Sequence, residues 1–226
     1  MKIGIIGSSM VAQIIGKKLL ELEHDVMVSS RDITKEKESF PSAENWAKEM
    51  KEKNLKGYAG SFSDAAKFGE VLINCTSGAH SIEALTQAGR ENMSNKILID
   101  LANPLDFSKG MPPSLTINNT TSLGEEIQNA FPEVKVVKTL NTVNAEIMIN
   151  PGLIDGEHDL LISGNDEEAK KFIKEEILEK GFGWKNIIDL GKITSARGME
   201  MYLPLWVTLM STLNTARFNI HINKNK

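Results

Sequence analysis

Residues 2–12 of the chain read KIGIIGSSMVA. The segment Lys2–Ile6 is short, apolar and β-branched, which predicts a strand, and Gly7 follows it at once. Apolar side chains then recur at the spacing of one helical face, namely at Val11, Ile14, Ile15, Leu19 and Leu22. A second apolar strand is predicted at Val26–Ser29. A strand, a glycine turn, a helix and a second strand in this order predict the opening βαβ unit of a dinucleotide-binding fold.

The turn after the first strand contains a degenerate glycine motif. The pattern G-x-G-x-x-G/A is represented here by Gly7, Ser9 and Ala12. Gly7 permits the tight turn, and free N–H groups at the start of the helix favour an anion. Serine at the second position narrows the approach but adds a hydroxyl that can bond a phosphate oxygen. The alternative is an ordinary strand–turn–helix of an α/β protein. We expect a pyrophosphate to be held by Gly7, Ser8, Ser9, Met10, Val11 and Ala12.

The end of the second predicted strand indicates which dinucleotide fits. An NAD-binding unit has an acidic residue about 20 residues past the glycines. This chain instead has Ser29, Ser30 and Arg31 there, with Lys35 a turn later. Hydroxyl, guanidinium and ammonium groups suit a phosphate. We therefore expect Ser30, Arg31 and Lys35 to hold the 2′-phosphate of NADP(H), in preference to NAD(H), although Asp32 follows directly and argues against that preference.

The composition bounds the class of protein. The chain has 226 residues, 41% of them hydrophobic, which is enough for a full core. We predict a Rossmann-type α/β fold with a doubly wound, mostly parallel sheet over residues 1–195, and a short C-terminal helix and tail over residues 196–226. The formal net charge of −4 argues against nucleic-acid or anionic-membrane binding. Because Cys75 is the single cysteine and neither a signal peptide nor a bilayer-spanning run is recognisable, we expect a cytoplasmic protein.

Ligands of open α/β sheets lie at the carboxyl ends of the parallel strands. We predict buried strands at Val71–Cys75, Lys96–Leu101 and Val134–Lys138. The strand ends and the segments after them supply the other candidates for the cofactor site, which are Cys75, Thr76, Ser77, His80, Ala102, Asn103, Pro104 and Asn141. We interpret Cys75 as a packed apolar residue. Asn141 either bonds a carboxamide or the edge of a flavin-like ring, or forms a turn.

The C-terminal third contains further predicted elements. We expect a capping-box helix start at Asn165 and a final central strand at Ile187–Leu190. The segment Ala196–Leu213 is a strongly apolar helix that Pro204 should kink. Such a helix is buried, lines a pocket or meets another subunit. A short edge strand is predicted at Asn219–Ile222.

The chain lacks the sequence patterns of several enzyme classes. It has no HExxH and no paired CxxC, so no metal site is expected, and it has no GxSxG or P-loop. Neither Tyr58 nor Tyr202 has a lysine four residues later, as a short-chain dehydrogenase would need. Oxidation of an alcohol needs a proton acceptor near the carbinol, whereas hydride exchange between two ring cofactors needs rings held together and water excluded. A site of Thr, Ser, Asn and apolar residues favours the second reaction.

These residues carry a family resemblance. The chain resembles the NADPH-dependent reductases of the deazaflavin coenzyme F420, and it is similar to the cytosolic reductase domain of six-transmembrane metalloreductases, which passes NADPH hydride to a flavin. The resemblance implies that Ser30, Arg31 and Lys35 hold the 2′-phosphate. It matches a histidine at the start of a helix to His80, and a Lys-x-x-Asn-Thr pattern to Lys138, Asn141 and Thr142. It also implies a homodimer, for which the final apolar helix is a candidate surface.

We therefore expect an NADP-dependent oxidoreductase that transfers hydride between NADPH and a small-molecule acceptor, a deazaflavin or a flavin. His80 and Asn141 are candidate positioning residues, and no acid–base residue is assigned. One alternative is an NADP(H)-binding sensor or regulator without turnover. Another is a reductase of a small carbonyl or imine, whose relatives carry a long helical second domain for which the segment after Asp189 is too short. The physiological acceptor and the direction of hydride transfer stay open at this point.

Overall fold

The computed structural model describes residues 1–36 and 38–225. In this part of the chain eight strands form one sheet in the spatial order β3-β2-β1-β4-β5-β8-β9-β10, and β6 and β7 form a separate small hairpin. Neighbouring strands of the large sheet run parallel except β8 and β9, which are antiparallel. The strands are β1 (Lys2–Ile6), β2 (Asp25–Ser29), β3 (Gly57–Gly60), β4 (Val71–Asn74), β5 (Ile97–Asp100), β6 (Leu105–Asp106), β7 (Ser114–Leu115), β8 (Lys135–Thr139), β9 (Asp159–Gly164) and β10 (Asn186–Asp189).

Helices cover both faces of the sheet. Buried side chains of α1, α2, α7 and α8 join one apolar cluster, and those of α3, α4, α5, α6 and α9 join a second. Helix α8 continues as a π-helix over Ile173–Phe182. The α-helices are α1 (Met10–Glu21), α2 (Ala43–Glu52), α3 (Phe62–Phe68), α4 (Ser81–Ala88), α5 (Arg90–Met93), α6 (Leu123–Ala130), α7 (Ala145–Ile149), α8 (Glu167–Phe172), α9 (Ala196–Met201) and α10 (Leu203–Leu213).

The predicted doubly wound, mostly parallel sheet is confirmed. Strand β1 has the predicted bounds, and the apolar runs of β4 and β5 lie beside it in the middle of the sheet, where both faces are covered. The register pairs Ile6 with Asn74, Asn74 with Asp100, and Asp100 with Lys138. The carboxyl ends of β1, β4, β5 and β8 therefore lie side by side, and the segments that leave them share one edge of the sheet.

The predicted central position of the strand near Ile187–Leu190 is wrong. Strand β10 lies at the edge of the sheet, because β9 pairs with β8 on one side and with β10 on the other, and no described strand pairs with β10 beyond that. Its residues are correspondingly half-buried or exposed. A short segment with three apolar residues, Ile187, Ile188 and Leu190, suits either position, and the sequence pattern does not distinguish an edge strand from a central one.

Two local predictions in the C-terminal third are also wrong. Asn165 does not cap α8, because Asp166 accepts the N–H of Ala169 at 2.8 Å, whereas Asn165 Oδ1 accepts the N–H of Ile193 at 3.2 Å. Residues 219–222 form no strand. They run beside the first residue of β9, where the N–H of Asp159 donates to the Ile220 carbonyl at 2.9 Å.

The C-terminal helical segment is divided in two, which confirms the effect predicted for Pro204. Helix α9 ends at Met201 and α10 begins at Leu203, with Pro204 in the first turn of α10. Helix α9 begins at Ala196, and the division of the chain into residues 1–195 and 196–226 stays a prediction. The last residue of the predicted C-terminal segment, Lys226, lies outside the described residues. Among those described, none of the helices has the length and apolar character needed to cross a bilayer.

A buried ionic cluster joins α9 to the sheet. Nζ of Lys138 on β8 lies 2.8 Å from Oδ2 of Asp100 on β5 and 2.8 Å from Oε1 of Glu200 on α9, and the three side chains are at most 1% exposed. The Glu200 carboxylate also accepts the N–H groups of Leu123 and Gly124, at 2.8 and 3.0 Å, at the start of α6. Burial lowers the pKa of Lys138, but the two carboxylates outweigh this effect and raise the pKa above its ordinary value. Lys138 is therefore a buried cation between a strand and a helix.

We expect the Lys138→Met variant to be strongly destabilised. The substitution leaves Asp100 and Glu200 as two uncompensated buried carboxylates, which should lower the free energy of unfolding by about 3–5 kcal/mol. Urea unfolding followed by circular dichroism measures this change. Lys51→Met, in the exposed last turn of α2, is the matched control and should change stability by less than about 0.5 kcal/mol. Equal stability of the two variants would contradict the structural role of the cluster.

Candidate functional site

Two adjoining cavities open at the carboxyl edge of the sheet, and both are lined by Ser9, Cys75, Thr76 and Ser77. The outer cavity has a volume of about 250 Å³ and is further lined by Gly7, Ser8, Ser29, Ser30, Arg31, Phe40, Phe62, His80, Glu83, Ala84 and Gln87. The inner cavity has a volume of about 400 Å³ and is further lined by Val11, Gly78, Leu101, Ala102, Asn103, Leu105, Phe107, Asn141, Val143, Met148, Leu203 and Trp206.

The glycine turn holds the start of α1 against the loop after β4. Gly7 has a φ of +121°, and a Cβ there would lie 2.9 Å from the carbonyl oxygen of Cys75, so only glycine fits. The Ser9 hydroxyl accepts the N–H of Ala12 at 3.3 Å and donates to the Cys75 carbonyl at 3.3 Å. Ser9, at the second motif position, therefore caps α1 and uses its hydroxyl in hydrogen bonds within the protein. This leaves the N–H groups of Met10 and Val11, in the first turn of α1, as donors for an anion.

The segment after β2 presents Ser30 and Arg31 to the outer cavity. Ser29, by contrast, donates its hydroxyl to the Ile5 carbonyl at 2.7 Å inside the sheet. The carboxylate of Asp32 accepts the hydroxyl and the N–H of Thr34, at 2.7 and 3.0 Å. These hydrogen bonds lower the pKa of Asp32 and hold its carboxylate within its own turn. The acidic residue that argues against NADP is therefore engaged locally.

Glu83 on α4 is a charged residue of the outer cavity that the sequence analysis missed. Its Oε1 lies 3.6 Å from Nη1 of Arg31 and its Oε2 lies 3.8 Å from Nδ1 of His80. Gln87 Nε2 donates to Glu83 Oε1 at 3.1 Å. Since Glu83 is three residues after His80 in a predicted helix, helical spacing would have placed it beside His80.

The loops that line the inner cavity are joined by side-chain hydrogen bonds. Nδ2 of Asn74 donates to Asp100 at 2.8 Å, and Oδ1 of Asn74 accepts the Thr76 hydroxyl at 2.7 Å. A Cβ on Gly78 would lie 2.2 Å from the carbonyl oxygen of Asn103, so the loops after β4 and β5 contact each other backbone to backbone. The loop after β5 is fixed in turn by the buried cluster, because Lys138 donates to the Ala102 carbonyl.

Asn103 and Asn141 form a reciprocal amide pair. Nδ2 of Asn103 donates to the backbone carbonyl of Asn141 at 2.9 Å, and Nδ2 of Asn141 donates to Oδ1 of Asn103 at 3.0 Å. The first contact requires an N–H on Asn103, so Asn103 must present its oxygen to Asn141. This fixes the orientation of the Asn141 amide as well. Oδ1 of Asn141 is consequently a buried acceptor without a partner in the described part of the protein.

Another part of the inner cavity is apolar and comes largely from elements beyond β8. It includes Val143 and Met148, and Leu203 and Trp206 of α10. The Trp206 ring stacks on Phe218, with 5.4 Å between ring centroids and 23° between the ring planes. Pocket lining was one of the three roles predicted for the final apolar helix. Helical periodicity alone does not assign which of its side chains line a cavity.

The inner cavity holds almost no ionisable group. Among its described lining residues only Cys75 titrates. Burial, together with the negative charge of Asp100, raises the pKa of the Cys75 thiol. The interpretation of Cys75 as an unactivated, packed residue therefore fits its surroundings. The cavity offers neither a general acid nor a general base near neutral pH.

The structure brings most of the predicted site residues together. All of them line one of the two cavities except four. Ala12 is buried under the turn, Met10 is exposed at the start of α1, and Lys35 is exposed beyond Asp32. Pro104 is turned to the hairpin, where its carbonyl accepts the N–H of Thr116 at 2.8 Å.

Comparisons with known proteins show which family the chain is similar to. A family model described as "NADP oxidoreductase coenzyme F420-dependent" matches residues 2–104. The chain is 30% identical over 215 residues to the F420-dependent NADP reductase of Methanocaldococcus jannaschii, with 92% of each protein covered. It is 26% identical over 209 residues to the metalloreductase STEAP3 of Rattus norvegicus, and the match covers 91% of this chain but only 38% of that protein.

Two solved structures are also similar to this chain. The chain is 46% identical to a protein from Arthrobacter sp. FB24 described as a candidate F420-dependent NADP reductase, with a TM-score of 0.91 and coverage of 99% of this chain and 100% of that one. An imine reductase from Myxococcus stipitatus shares the fold, with a TM-score of 0.61 and 15% identity over 94% of this chain and 64% of that one.

We expect Cys75 to react slowly with iodoacetamide although it lies beside both cavities. The thiolate is the reactive form, and a raised thiol pKa keeps its fraction small throughout pH 7 to 9. Native protein should be alkylated at least about 100-fold more slowly than the same protein in denaturant, since each unit of pKa is a factor of ten in thiolate. Mass spectrometry follows the reaction. Equal native and denatured rates at pH 8 would contradict the buried, unactivated thiol.

Proposed function

This chain belongs to the family of NADP oxidoreductases that depend on coenzyme F420, and from that premise we propose that it transfers a hydride between NADPH and a deazaflavin or flavin ring. The observation that carries the proposal is the lining of the inner cavity, whose side chains are apolar or carry a hydroxyl or an amide and, apart from the unactivated Cys75, are free of ionisable groups among the described residues. NADPH would supply the hydride from its dihydronicotinamide ring, and the acceptor ring would take it together with a proton from water.

The outer cavity would hold the adenosine end of the coenzyme. Ser30 and Arg31 offer a hydroxyl and a guanidinium to the 2′-phosphate, and Lys35 would add a second cation from the same segment. Glu83 holds the Arg31 guanidinium at 3.6 Å, so an incoming phosphate competes with a carboxylate. The dianion carries more charge than Glu83 and can bind the guanidinium in bidentate fashion, which favours the phosphate.

The shared wall of the two cavities would carry the pyrophosphate. Gly7 lets the chain turn closely over Cys75, and the N–H groups of Met10 and Val11 point out of the first turn of α1. The helix dipole adds a favourable potential for the anion. Ser9 contributes by capping the helix, since its hydroxyl is bonded to Ala12 and Cys75.

The inner cavity would hold the nicotinamide ring. Oδ1 of Asn141 is a buried acceptor in need of a donor, which the carboxamide NH₂ of nicotinamide supplies. Ala102, Asn103, Thr76 and Ser77 form the adjoining wall. His80 lies farther out, beside Glu83, and would position the coenzyme without touching the reacting atoms.

Two further expectations stay proposals. We propose that the chain forms a homodimer through the C-terminal helices, where Met201, Leu205 and Leu213 are 43%, 54% and 53% exposed. We also propose a cytoplasmic location, for which the support is the single cysteine of the sequence.

Anaerobic oxidation of NADPH tests the proposed function. Absorbance at the NADPH band is followed with coenzyme F420, with riboflavin and with no acceptor. We expect turnover with at least one ring acceptor and none in the control. Tight NADPH binding with no turnover for any ring would favour the alternative of an NADP(H)-binding sensor.

We expect Arg31→Ala to weaken NADPH binding by about 10- to 100-fold and NADH binding by less than about threefold. The variant loses a charge-assisted contact, worth about 1.5–3 kcal/mol, to a phosphate that NADH lacks. Dissociation constants come from isothermal titration calorimetry. Lys51→Ala, at the far end of α2, removes one exposed cation elsewhere and serves as the control. Equal losses for both coenzymes would overturn the phosphate assignment.

A further inference from the structure

The inner cavity has two lining residues with an unsatisfied buried polar atom. In the described part of the chain, Oδ1 of Asn141 and Nε1 of Trp206 are buried and have no hydrogen-bond partner. Two hydroxyl groups of the lining are engaged. The Ser9 hydroxyl bonds Cys75, and the Thr76 hydroxyl bonds Asn74. A buried polar atom without a partner costs about 1–3 kcal/mol, so this cavity gains if a ligand completes both bonds.

The two atoms form hydrogen bonds with different kinds of ligand group. The Asn141 amide is oriented by Asn103, so it offers an acceptor and selects an N–H. The indole of Trp206 is a donor only and selects a carbonyl or another acceptor. Asn141 follows β8 and pairs with the loop after β5, whereas Trp206 is carried by α10. Two residues of the inner lining, one at the sheet edge and one on the C-terminal helix, thus carry an unpaired acceptor and an unpaired donor among the described residues.

Trp206 is held in place by its surroundings. Its ring stacks on Phe218 at 5.4 Å. Helix α10 follows α9, which Glu200 ties to Lys138 at 2.8 Å. The donor is therefore fixed before a ligand arrives, and less side-chain entropy is lost on binding.

We infer that Trp206 determines the acceptor: its Nε1–H donates a hydrogen bond to a carbonyl oxygen of the ring that exchanges hydride with NADPH. This inference rests on the proposed function. Deazaflavin and flavin rings both carry carbonyl oxygens on their pyrimidine portion, so Trp206 would recognise either. Ring acceptors without such a carbonyl, such as phenazine dyes, would not use the bond. Asn141 would serve the nicotinamide carboxamide, and Trp206 the second ring.

The test compares Trp206→Phe with Tyr202→Phe. The first variant keeps an aromatic ring to stack on Phe218, removes the N–H and shortens the side chain. Tyr202 lies one turn earlier, its hydroxyl is also buried without a partner, and it does not line the inner cavity. Tyr202→Phe therefore removes an equally unpartnered donor from outside the cavity and is the matched control.

The primary readout is binding, measured by fluorescence titration of coenzyme F420 or riboflavin into the protein saturated with NADP⁺. We expect Trp206→Phe to raise the dissociation constant of the ring about 10-fold, as the loss of one hydrogen bond predicts. The loss of affinity should be larger for the ring than for NADPH. Tyr202→Phe should bind the ring like the parent protein.

A second readout is the indole N–H signal of Trp206 in ¹⁵N-correlated NMR spectra, assigned by its loss in Trp206→Phe. The chain has three tryptophans. Adding the ring acceptor should move the Trp206 signal, and that of Trp184 should stay in place because its N–H already donates to the Met148 carbonyl at 2.9 Å. A Trp206 signal that does not move, or equal ring affinity in Trp206→Phe and the parent, would overturn the inference.

These outcomes separate the inference from the proposed function. If the parent protein binds and reduces a ring acceptor but Trp206→Phe behaves identically, only the role of Trp206 fails. If the parent protein binds NADPH and neither binds nor reduces any ring, the proposed function fails and the inference fails with it. A loss of ring affinity in Tyr202→Phe equal to that in Trp206→Phe would also overturn the assignment, because it would show a general effect of the helix.

Discussion

The buried cation of Lys138 is the interaction on which the arrangement of the site depends. Its ammonium group contacts Asp100, Glu200 and the carbonyl of Ala102 at once. Charges in so dry an environment are tolerated only when they are paired and hydrogen-bonded, so these groups have few alternative positions. Glu200 is further anchored by two backbone N–H groups at the start of α6. One side chain thereby fixes the loop after β5 and the C-terminal helices against β8.

The two cavities differ in the charge of their lining residues. The outer cavity is charged, with Arg31 and Glu83 facing each other across 3.6 Å. The inner cavity is close to neutral, and its one titratable lining residue, Cys75, stays protonated because burial raises its pKa. Under the proposed function, charge at the outer cavity would supply affinity for a phosphate, and the neutral inner cavity would hold the two rings. The described lining of the inner cavity contains no side chain that titrates near neutral pH.

Local sequence signals predicted the fold, and the coenzyme-binding roles inferred from the same signals stay predictions. The strand, glycine turn and helix from Lys2 to Glu21 lie where the pattern places them, because turn chemistry and periodicity are properties of neighbouring residues. Contacts between distant segments were not predicted. The pairing of Glu83 with Arg31, and that of Asn103 with Asn141, depend on which loops the sheet brings together. The edge position of β10 depends on strand order, which an apolar run does not encode.

The family match and the identity of the hydride acceptor depend on different parts of the chain. The family model ends at residue 104, after the glycine turn, Arg31 and the loop after β5. Asn141 and Trp206 lie beyond it, yet both line the inner cavity where the second ring would bind. Under the proposed function, the N-terminal half would hold the coenzyme, and residues beyond residue 104 would contact the hydride acceptor. Lys138 and Glu200 anchor α9 by buried charge, so side chains on the following helix α10, Trp206 among them, can change without removing that ion pair.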